Sequence, residues 1–460
     1  DDFVILTRGR EAAESALQRA AGLLAEHGLG LNRDKTQVVS FERGFRFLGH
    51  LFVRSMILAS PNRDYRDPRE ETVEALLRLA AKADQSAAEQ EATESAALAA
   101  GYDRALRVLY VMEPHRRLNV RNTAFAIEAQ TEAVPVAAWH EIAAVPHRRI
   151  DRIEIGPAAA ATETAIRHAA SVDVELTYVN GFGETLATVI PPGALRSRLH
   201  LAQARMVLDP VQRAEMARRL VDARIRNQRA LLRRLNRRRK VASVTEAALA
   251  LNRELRSLAH DAAEVPVLMG REGRAASLFW PAFASSCDAG WLRGPWTFAH
   301  RRRRPPPDPM NLVLNYLSAL LARDLSALLR RAGLHVGFGS LHSVRDGDGE
   351  SAAALVFDLM EPLRGPLVES LAMWLFNNRV MRRELFAADG ADGSCRLARG
   401  GAAAIIRSWE TTLARTVTMP GEARGRKVAW RRLMELQGRA YADAVLAGDP
   451  AGFRPYVMDY

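Results

Sequence analysis

Cysteine is almost absent from this chain: Cys287 and Cys395 are the only two in 460 residues. Two isolated thiols exclude a disulfide framework and a cysteine-rich zinc site, and they suit a reducing, cytoplasmic setting. Lysine is scarce too. Only Lys35, Lys82, Lys240 and Lys427 contribute to the 65 basic residues, so the positive charge is almost wholly guanidinium. No uninterrupted apolar run approaches the roughly 20 residues of a membrane span, and no signal-peptide pattern is present; a membrane partner is not expected. An initial Met is also missing, and the start on Asp1 suggests a piece of a longer chain.

What is present is positive charge and apolar bulk. A net charge of +12 and a pI near 10.3 point to a polyanionic partner. Arginine suits bidentate phosphate contacts, although a GC-rich genome raises its content equally. A hydrophobic share of 48% supports real cores, and 460 residues imply two or three domains.

The chain opens with "DDFVILT". Phe3 to Thr7 read as a strand, and "REAAESALQRAAGLLAEHG" as a helix with Ala13, Leu17, Ala20 and Leu24 on one face, ending at Gly28. "TQVVSF" and "FRFLGHLFV" read as two further strands, turning at Arg43-Gly44. Adjacent aspartates can hold divalent ions for phosphoryl transfer, though most such pairs are merely solvated. The order "DDFVILT", helix, "GLGLNRDKT", "FRFLGHLF" resembles the C-terminal half of a reverse transcriptase palm of the group II intron type, over about Asp1 to Val53. That resemblance implies metal-binding positions at Asp1 and Asp2, and a proton donor to the leaving pyrophosphate at Lys35. The family's other catalytic carboxylate and its fingers lie in an earlier part that these residues do not contain. The polymerase site is therefore expected to be inactive in this chain, and no primer extension is expected of it.

From 59 to 104 the composition turns to Ala and Glu, which suits a thumb remnant or helical linker. From 105 to 192 short strand candidates follow closely: "RVLYVM", "RLNVR", "AFAIEA", "VPVAAW", "RIDRIEI" and "VDVELTYV". Asn180 to Glu184 ("NGFGE") reads as a hairpin turn. Such strands suggest a small β-sandwich serving as an interaction platform.

From 193 to 460 the patterns are helical. Arg213 to Lys240 carry 12 basic residues against Glu215 and Asp222. This segment is either a solvated face or a phosphate-binding one, with Arg224, Arg226, Arg233, Arg234, Arg237, Arg238, Arg239 and Lys240 as its candidate contacts. A second basic run, Arg301, Arg302, Arg303 and Arg304, leads into three prolines and is likewise a candidate nucleic-acid contact or a solvated arm. Asp308-Pro309 predicts a helix start, Asp as N-cap and Pro at the first helical position, with the helix running to Gly333. A glycine-rich loop, "GLHVGFGSLH", ends at His342. In "AAALVFDLMEPLRG", Asp358 and Glu361 share a helical face inside an apolar run. Such a buried acidic pair needs either arginine, for which Arg364 is placed, or a metal.

The order "REGRAASLFW", "RRRRPPPDPMNLVLNYLSALL", "GLHVGFGSLH", "FDLMEPLRG" resembles the CRISPR-associated integrase family, which inserts new spacers. The resemblance spans about Arg107 to Tyr460 and includes "RIDRIEI" and "IRNQRALL". It departs from the family pattern at Ser340, Leu363 and Gly365, and in an expanded turn after His342. It implies a metal site of Glu272, His342 and Glu361 with Asp358 close by, binding Mn²⁺ or Mg²⁺, and catalysis of attack by a DNA 3′-hydroxyl on a phosphodiester. His342 could instead act as an acid or base. The overall expectation is a multidomain α+β protein: a partial polymerase palm (1–58), a linker (59–104), a small β-sandwich (105–192) and a large all-α catalytic domain (193–460). By resemblance its partners are prespacer DNA, CRISPR repeat DNA, RNA through the fused polymerase, a small ferredoxin-like subunit and a second copy of itself. The rival expectation is a non-enzymatic nucleic-acid-binding platform in which the three candidate ligands are structural.

Overall fold

The computed structural model describes residues 4–7, 9–26, 28–32, 36–40, 45–47, 50–53, 56–59, 107–121, 123–130, 139–191, 196–260, 264–302, 305–342, 353–388, 394–418 and 427–458. Asp1, Asp2, Lys35, Arg303, Arg304, the turn after His342 and, apart from Ala59, the expected linker of 59–104 lie outside these residues. The chain divides into two compact units, Asp1–Asp103 and Arg104–Tyr460.

In the first unit, helix α1 (Arg10–Glu26) half-buries the expected Ala13, Leu17, Ala20 and Leu24. It stops at Gly28, whose φ of 71° suits a residue without a side chain. There Leu29 N–H reaches back to the Leu24 carbonyl at 2.9 Å, a Schellman closure. Three strand expectations are corrected. Val4–Thr7 and Thr36–Ser40 pair with no strand among the described residues; an isolated strand leaves its backbone groups to water and has no pairing to hold it. "FRFLGHLFV" is not one strand but two: β1 (Phe45–Phe47) and β2 (His50–Val53) pair antiparallel, Phe47 opposite His50, and β2 also pairs with β3 (Met56–Ala59).

The second unit begins with strands: β4 (Val108–Val111), β5 (Arg116–Arg121), β6 (Ala124–Gln130), β7 (Trp139–Pro146), β8 (Arg152–Ile155) and β9 (Ala160–Ala161). Helix α2 (Glu163–Ser171) precedes β10 (Glu175–Val179) and β11 (Thr185–Val189). They form two four-stranded sheets, ordered β11-β10-β8-β4 and β7-β6-β5-β9. Val111, Leu118, Phe125, Ile153, Ile155 and Leu176 join Ala165 and Ala169 of α2 in one core. Helix α2 was not expected. Its signal is Thr162, whose hydroxyl accepts from Ala165 N–H at 3.1 Å as an N-cap.

Helices follow: α3 (Ser197–Leu208), α4 (Pro210–Asn236), α5 (Ala242–His260), α6 (Val265–Ala284), α7 (Pro309–Arg331) and α8 (Ala354–Leu363). A π-helical turn (Arg364–Glu369) leads into α9 (Ser370–Asn377), and two short hairpins alternate with α10 (Gly401–Ala414) and α11 (Trp430–Ala447). Asp308 caps α7 as its sequence implies, accepting from Asn311 N–H at 2.9 Å. By length and composition α7 could span a bilayer, yet 72% of its most apolar stretch is buried inside the protein; it is the central core helix.

A charged seam joins the strands to the helices. Arg323 of α7 grips Glu154 of β8 at 2.9 and 3.1 Å. Arg152 of β8 reaches Asp324 at 2.6 Å, and Trp409 Nε1–H donates to the same carboxylate at 2.9 Å. Arg152, Glu154 and Asp324 are fully buried. Burial pushes the Glu154 carboxyl up, but Arg323 and Arg152 outweigh it and hold the group below its ordinary range. "RIDRIEI" is thus a buried ionic seam rather than an open docking strand. The "NGFGE" turn belongs to it: Asn180 Oδ1 accepts from Phe182 and Glu184 N–H, both at 2.9 Å, and Gly183 (φ 77°) lies flat against the Tyr316 ring.

Candidate active site

Helices α4, α6, α7 and α8, the π-turn and the segment carrying Arg301 build one cavity of about 310 Å³. Helix α6 buries a stripe of Leu268, Ala275, Phe279, Ala282 and Phe283. Glu272 occupies the same stripe, one turn after Leu268 and one before Ala275, so helical spacing carries a carboxylate inward. Helix α4 presents Arg224, α8 presents Glu361, and the π-turn adds Arg364 and Glu369. Arg224 grips Glu369 at 2.5 and 3.0 Å and sits 3.3 Å from Glu361. Arg364 lies 3.0 Å from the other Glu361 oxygen. Trp280, Ser277, Ser318 and Arg301 complete the wall. Arg301 is held there by Asn311 and Asn315 at 3.1 and 2.6 Å.

The π-turn has a local cause. Pro366 has no N–H for the Pro362 carbonyl. Asn227 of α4 supplies one instead: its Nδ2 donates to Pro362 O at 2.7 Å and to Tyr456 O at 2.9 Å, and its Oδ1 accepts from Met458 N–H at 2.7 Å. Gly365 permits this approach, since a Cβ there would meet Asn227 Cβ at 3.2 Å. The departure from the family pattern at Gly365 therefore has a packing reason.

His342 is positioned from beneath. The buried Asp358 carboxylate accepts N–H bonds from Ser340, Leu341 and His342 at 2.5, 3.0 and 2.9 Å, and meets His342 Nδ1 at 2.8 Å. The carboxylate holds a proton on Nδ1, which leaves a lone pair on Nε2. Burial pulls the His342 pKa down, but the hydrogen bond to Asp358 and the charges of Asp358 and Glu361 outweigh it, so the net shift is upward. Asp358 is a positioning residue, tied to the loop.

Glu272 behaves as a carboxylate set against another. Burial, then Glu361, raises its pKa; Arg224, Arg364 and His342 partly offset this. The three expected ligands therefore feel one another electrostatically. Yet among the described residues no three carboxylate, imidazole or thiol groups are drawn together closely enough to hold an ion as they stand. The donor types, two carboxylates and an imidazole with a free nitrogen, fit Mn²⁺ or Mg²⁺. The like-charge strain on Glu272 is the kind that a dication relieves.

The basic segment is corrected in part. Arg224 is 3% exposed at its side chain and serves Glu369 and Glu361, not nucleic acid. Arg226 pairs with Asp222 within α4 at 2.6 Å, and half-buried Arg239 pairs with Asp288. Asp222 lies one helical turn before Arg226, whereas Glu369 and Asp288, the partners of Arg224 and Arg239, are carboxylates that the local sequence does not reveal. Arg233, Arg234, Arg237, Arg238, Lys240 and Arg302 are exposed. Arg226, Arg229 and Arg233 make a ridge along α4; burial and then its two neighbours lower the Arg229 pKa. Sequence reasoning missed Glu369, Asn227, Arg364's place in the cavity wall, and Trp280. For Glu369 the only signal is its spacing behind Glu361 across two prolines.

Residues 109–411 match the family model described as CRISPR associated protein Cas1. The chain belongs to the Cas1 family. It is 31% identical over 309 residues to CRISPR-associated endonuclease Cas1 3 of Thermus thermophilus, covering 67% of this chain and 86% of that protein. It is 30% identical over 344 residues to a Cas4/Cas1 exonuclease–endonuclease fusion of Rhodospirillum rubrum, covering 74% of this chain but 56% of the fusion. Among solved structures, a casposase bound to its integration product superposes with a TM-score of 0.62 at 22% identity, covering 77% of this chain and 96% of that one. A Cas6-RT-Cas1–Cas2 complex superposes at 0.64 and 17% identity, covering 78% of this chain and 37% of that one. These structural likenesses establish a Cas1-like mixed α+β fold.

Proposed function

We propose that this Cas1-family chain is a metal-dependent DNA integrase of CRISPR adaptation, joining prespacer 3′-hydroxyl ends into repeat DNA in the cytoplasm. The observation that supports it is the pair Glu272 and Glu361 facing one cavity, both within electrostatic reach of a histidine that Asp358 holds by its Nδ1. Glu272, Glu361 and His342 Nε2 would hold Mn²⁺ or Mg²⁺, which when bound would polarise the scissile phosphate. Asp358 fixes the imidazole and its tautomer. Arg364 and Arg301 line the same cavity and place guanidinium charge where phosphate oxygens would enter. Arg224 compensates Glu369, so the cavity floor stays charged without collapsing. The exposed Arg233–Lys240 end of α4 and Arg302 supply sequence-independent affinity for the backbone. By family likeness its partners are a small ferredoxin-like subunit and a second copy. The first unit is read as polymerase palm, with Asp1 and Asp2 as its metal positions and RNA as a further source of spacers; the order of α1 and β1–β3 supports this.

A second reading, a nucleic-acid-binding platform without catalysis, draws on the arginines already seated on Glu361. One experiment separates the two: strand transfer of a labelled prespacer into a supercoiled repeat-bearing target. Glu272→Ala, His342→Ala and Glu361→Ala should each lose as much activity as the triple change, because a shared site fails as a unit. Prespacer binding should survive. Near-normal integration by Glu361→Ala in metal-buffered solution overturns the integrase reading. For the first unit, nucleotide incorporation by this chain that Asp1→Ala and Asp2→Ala abolish would overturn the expectation of an inactive polymerase remnant.

A further inference from the structure

Trp374 is 40% exposed, the one Phe, Tyr or Trp ring exposed to this degree among the described residues. Its neighbours Leu371, Ala372, Met373, Leu375 and Phe376 in α9 are all buried. An outward indole on an otherwise well-packed helix is not needed for the core. Ser370 opens α9 directly after Glu369 of the cavity wall, and its Oγ accepts from Arg234 at 2.9 Å. Ser370 and Trp374 are four residues apart, so they share a face. The indole therefore stands one turn beyond the point where the basic end of α4 touches α9. The exposed Arg415 guanidinium lies 5.9 Å from the ring centroid. Arg379, also exposed, follows at the end of the helix in a left-handed conformation (φ 58°).

We propose that Trp374 is a stacking platform for an unpaired nucleic-acid base, outside the cavity and between Arg415 and the basic end of α4. A ring with one guanidinium beside it and exposed arginines within a helical turn along the same helix disfavours an apolar protein segment and suits a ligand that carries both negative charge and an aromatic face. Duplex bases are stacked within the helix and offer no such face; single-stranded nucleotides do. The site would hold a strand by its phosphates on the arginines and by one base on the indole. This proposal rests on the integrase reading for its ligand class, and it places an unpaired strand beside the cavity where a 3′ end would be needed.

The test is fluorescence anisotropy of the full chain with a labelled duplex bearing 3′ single-stranded overhangs, the same duplex blunt, and the overhang duplex with abasic overhang nucleotides. Trp374→Ala should weaken binding of the overhang duplex by roughly fivefold to a hundredfold for a stacked base and leave the blunt duplex unchanged. The wild-type protein should bind abasic overhangs as weakly as Trp374→Ala binds intact ones. Trp374→Phe should fall between. Deoxy and ribo overhangs run in parallel assign the strand by which of them shows the loss. No loss with either overhang, or an equal loss on blunt duplex, overturns the proposal. If Trp374→Ala fails to fold, wild-type binding that is indifferent to abasic substitution overturns it alone. Failure of the integrase reading looks different: overhang binding would persist without strand transfer.

Discussion

Asp358 shows how much one buried carboxylate can organise. It collects three successive backbone N–H groups and the His342 ring. Because the folded pKa of His342 is raised above its ordinary 6.5, the protonated pair contributes stability that is fully present below that value. This contribution is lost as pH rises through the higher folded pKa. The Nε2 lone pair is free only above the folded value, so strand transfer should climb with pH in a window that begins above 6.5. Asp358→Asn should move the His342 midpoint down, read from ring-proton NMR in chelator-treated protein; an unmoved midpoint would deny Asp358 this role. Arg224 makes the opposite case. Arg224→Met strips the buried Glu369 and Glu361 of their shared cation and should cost about 3–5 kcal/mol in urea unfolding.

Among the elements, α4 carries two functions on one helix. Its inward arginine serves the cavity and its outward C-terminal end faces solvent. Neutralising Arg233, Arg234, Arg237 and Arg238 together should flatten the log–log salt dependence of duplex binding by roughly 0.9 for each phosphate that the arginines no longer neutralise, with stability little changed. The π-turn depends on a single amide. Asn227→Leu leaves the Pro362 and Tyr456 carbonyls and the Met458 N–H unmet, at about 1–3 kcal/mol for each buried group, and it should loosen Glu361 and the chain end together. Elements also mark what could be read in advance. The Asp308-Pro309 helix start, the "NGFGE" turn and the Arg364–Glu361 pair were legible because each is decided within a few residues. The fate of Arg224 was not, since Glu369 lies 145 positions away. Nor was the reversal inside "FRFLGHLFV", because Phe, Leu and Val continue on both sides of Gly49 and no Asn-Gly or Asp-Gly pair marks a turn there.

At the scale of the second unit, strands and helices are joined by buried charge as well as by packed side chains. Arg323→Met should leave Glu154 short of its bidentate partner and cost about 3–5 kcal/mol. Calorimetry of the whole chain should then show the melting of the second unit shifted to lower temperature, and an unshifted melt would deny the seam this role. A sequence of alternating Arg, Ile and Glu reads as an ordinary half-exposed strand, so this seam was invisible until Asp324 and Arg323 arrived from a distant helix. One detail of the seam limits how the molecule can move. Gly183 presses its bare backbone onto the Tyr316 ring, where even a methyl group would come within 2.7 Å, and its carbonyl accepts from Arg323. The hairpin tip can neither slide along α7 nor lift from it without breaking a buried hydrogen bond. If the cavity must open to admit a DNA strand, the hinge cannot lie at this junction. The strand-built half should ride with α7 as a fixed counterweight.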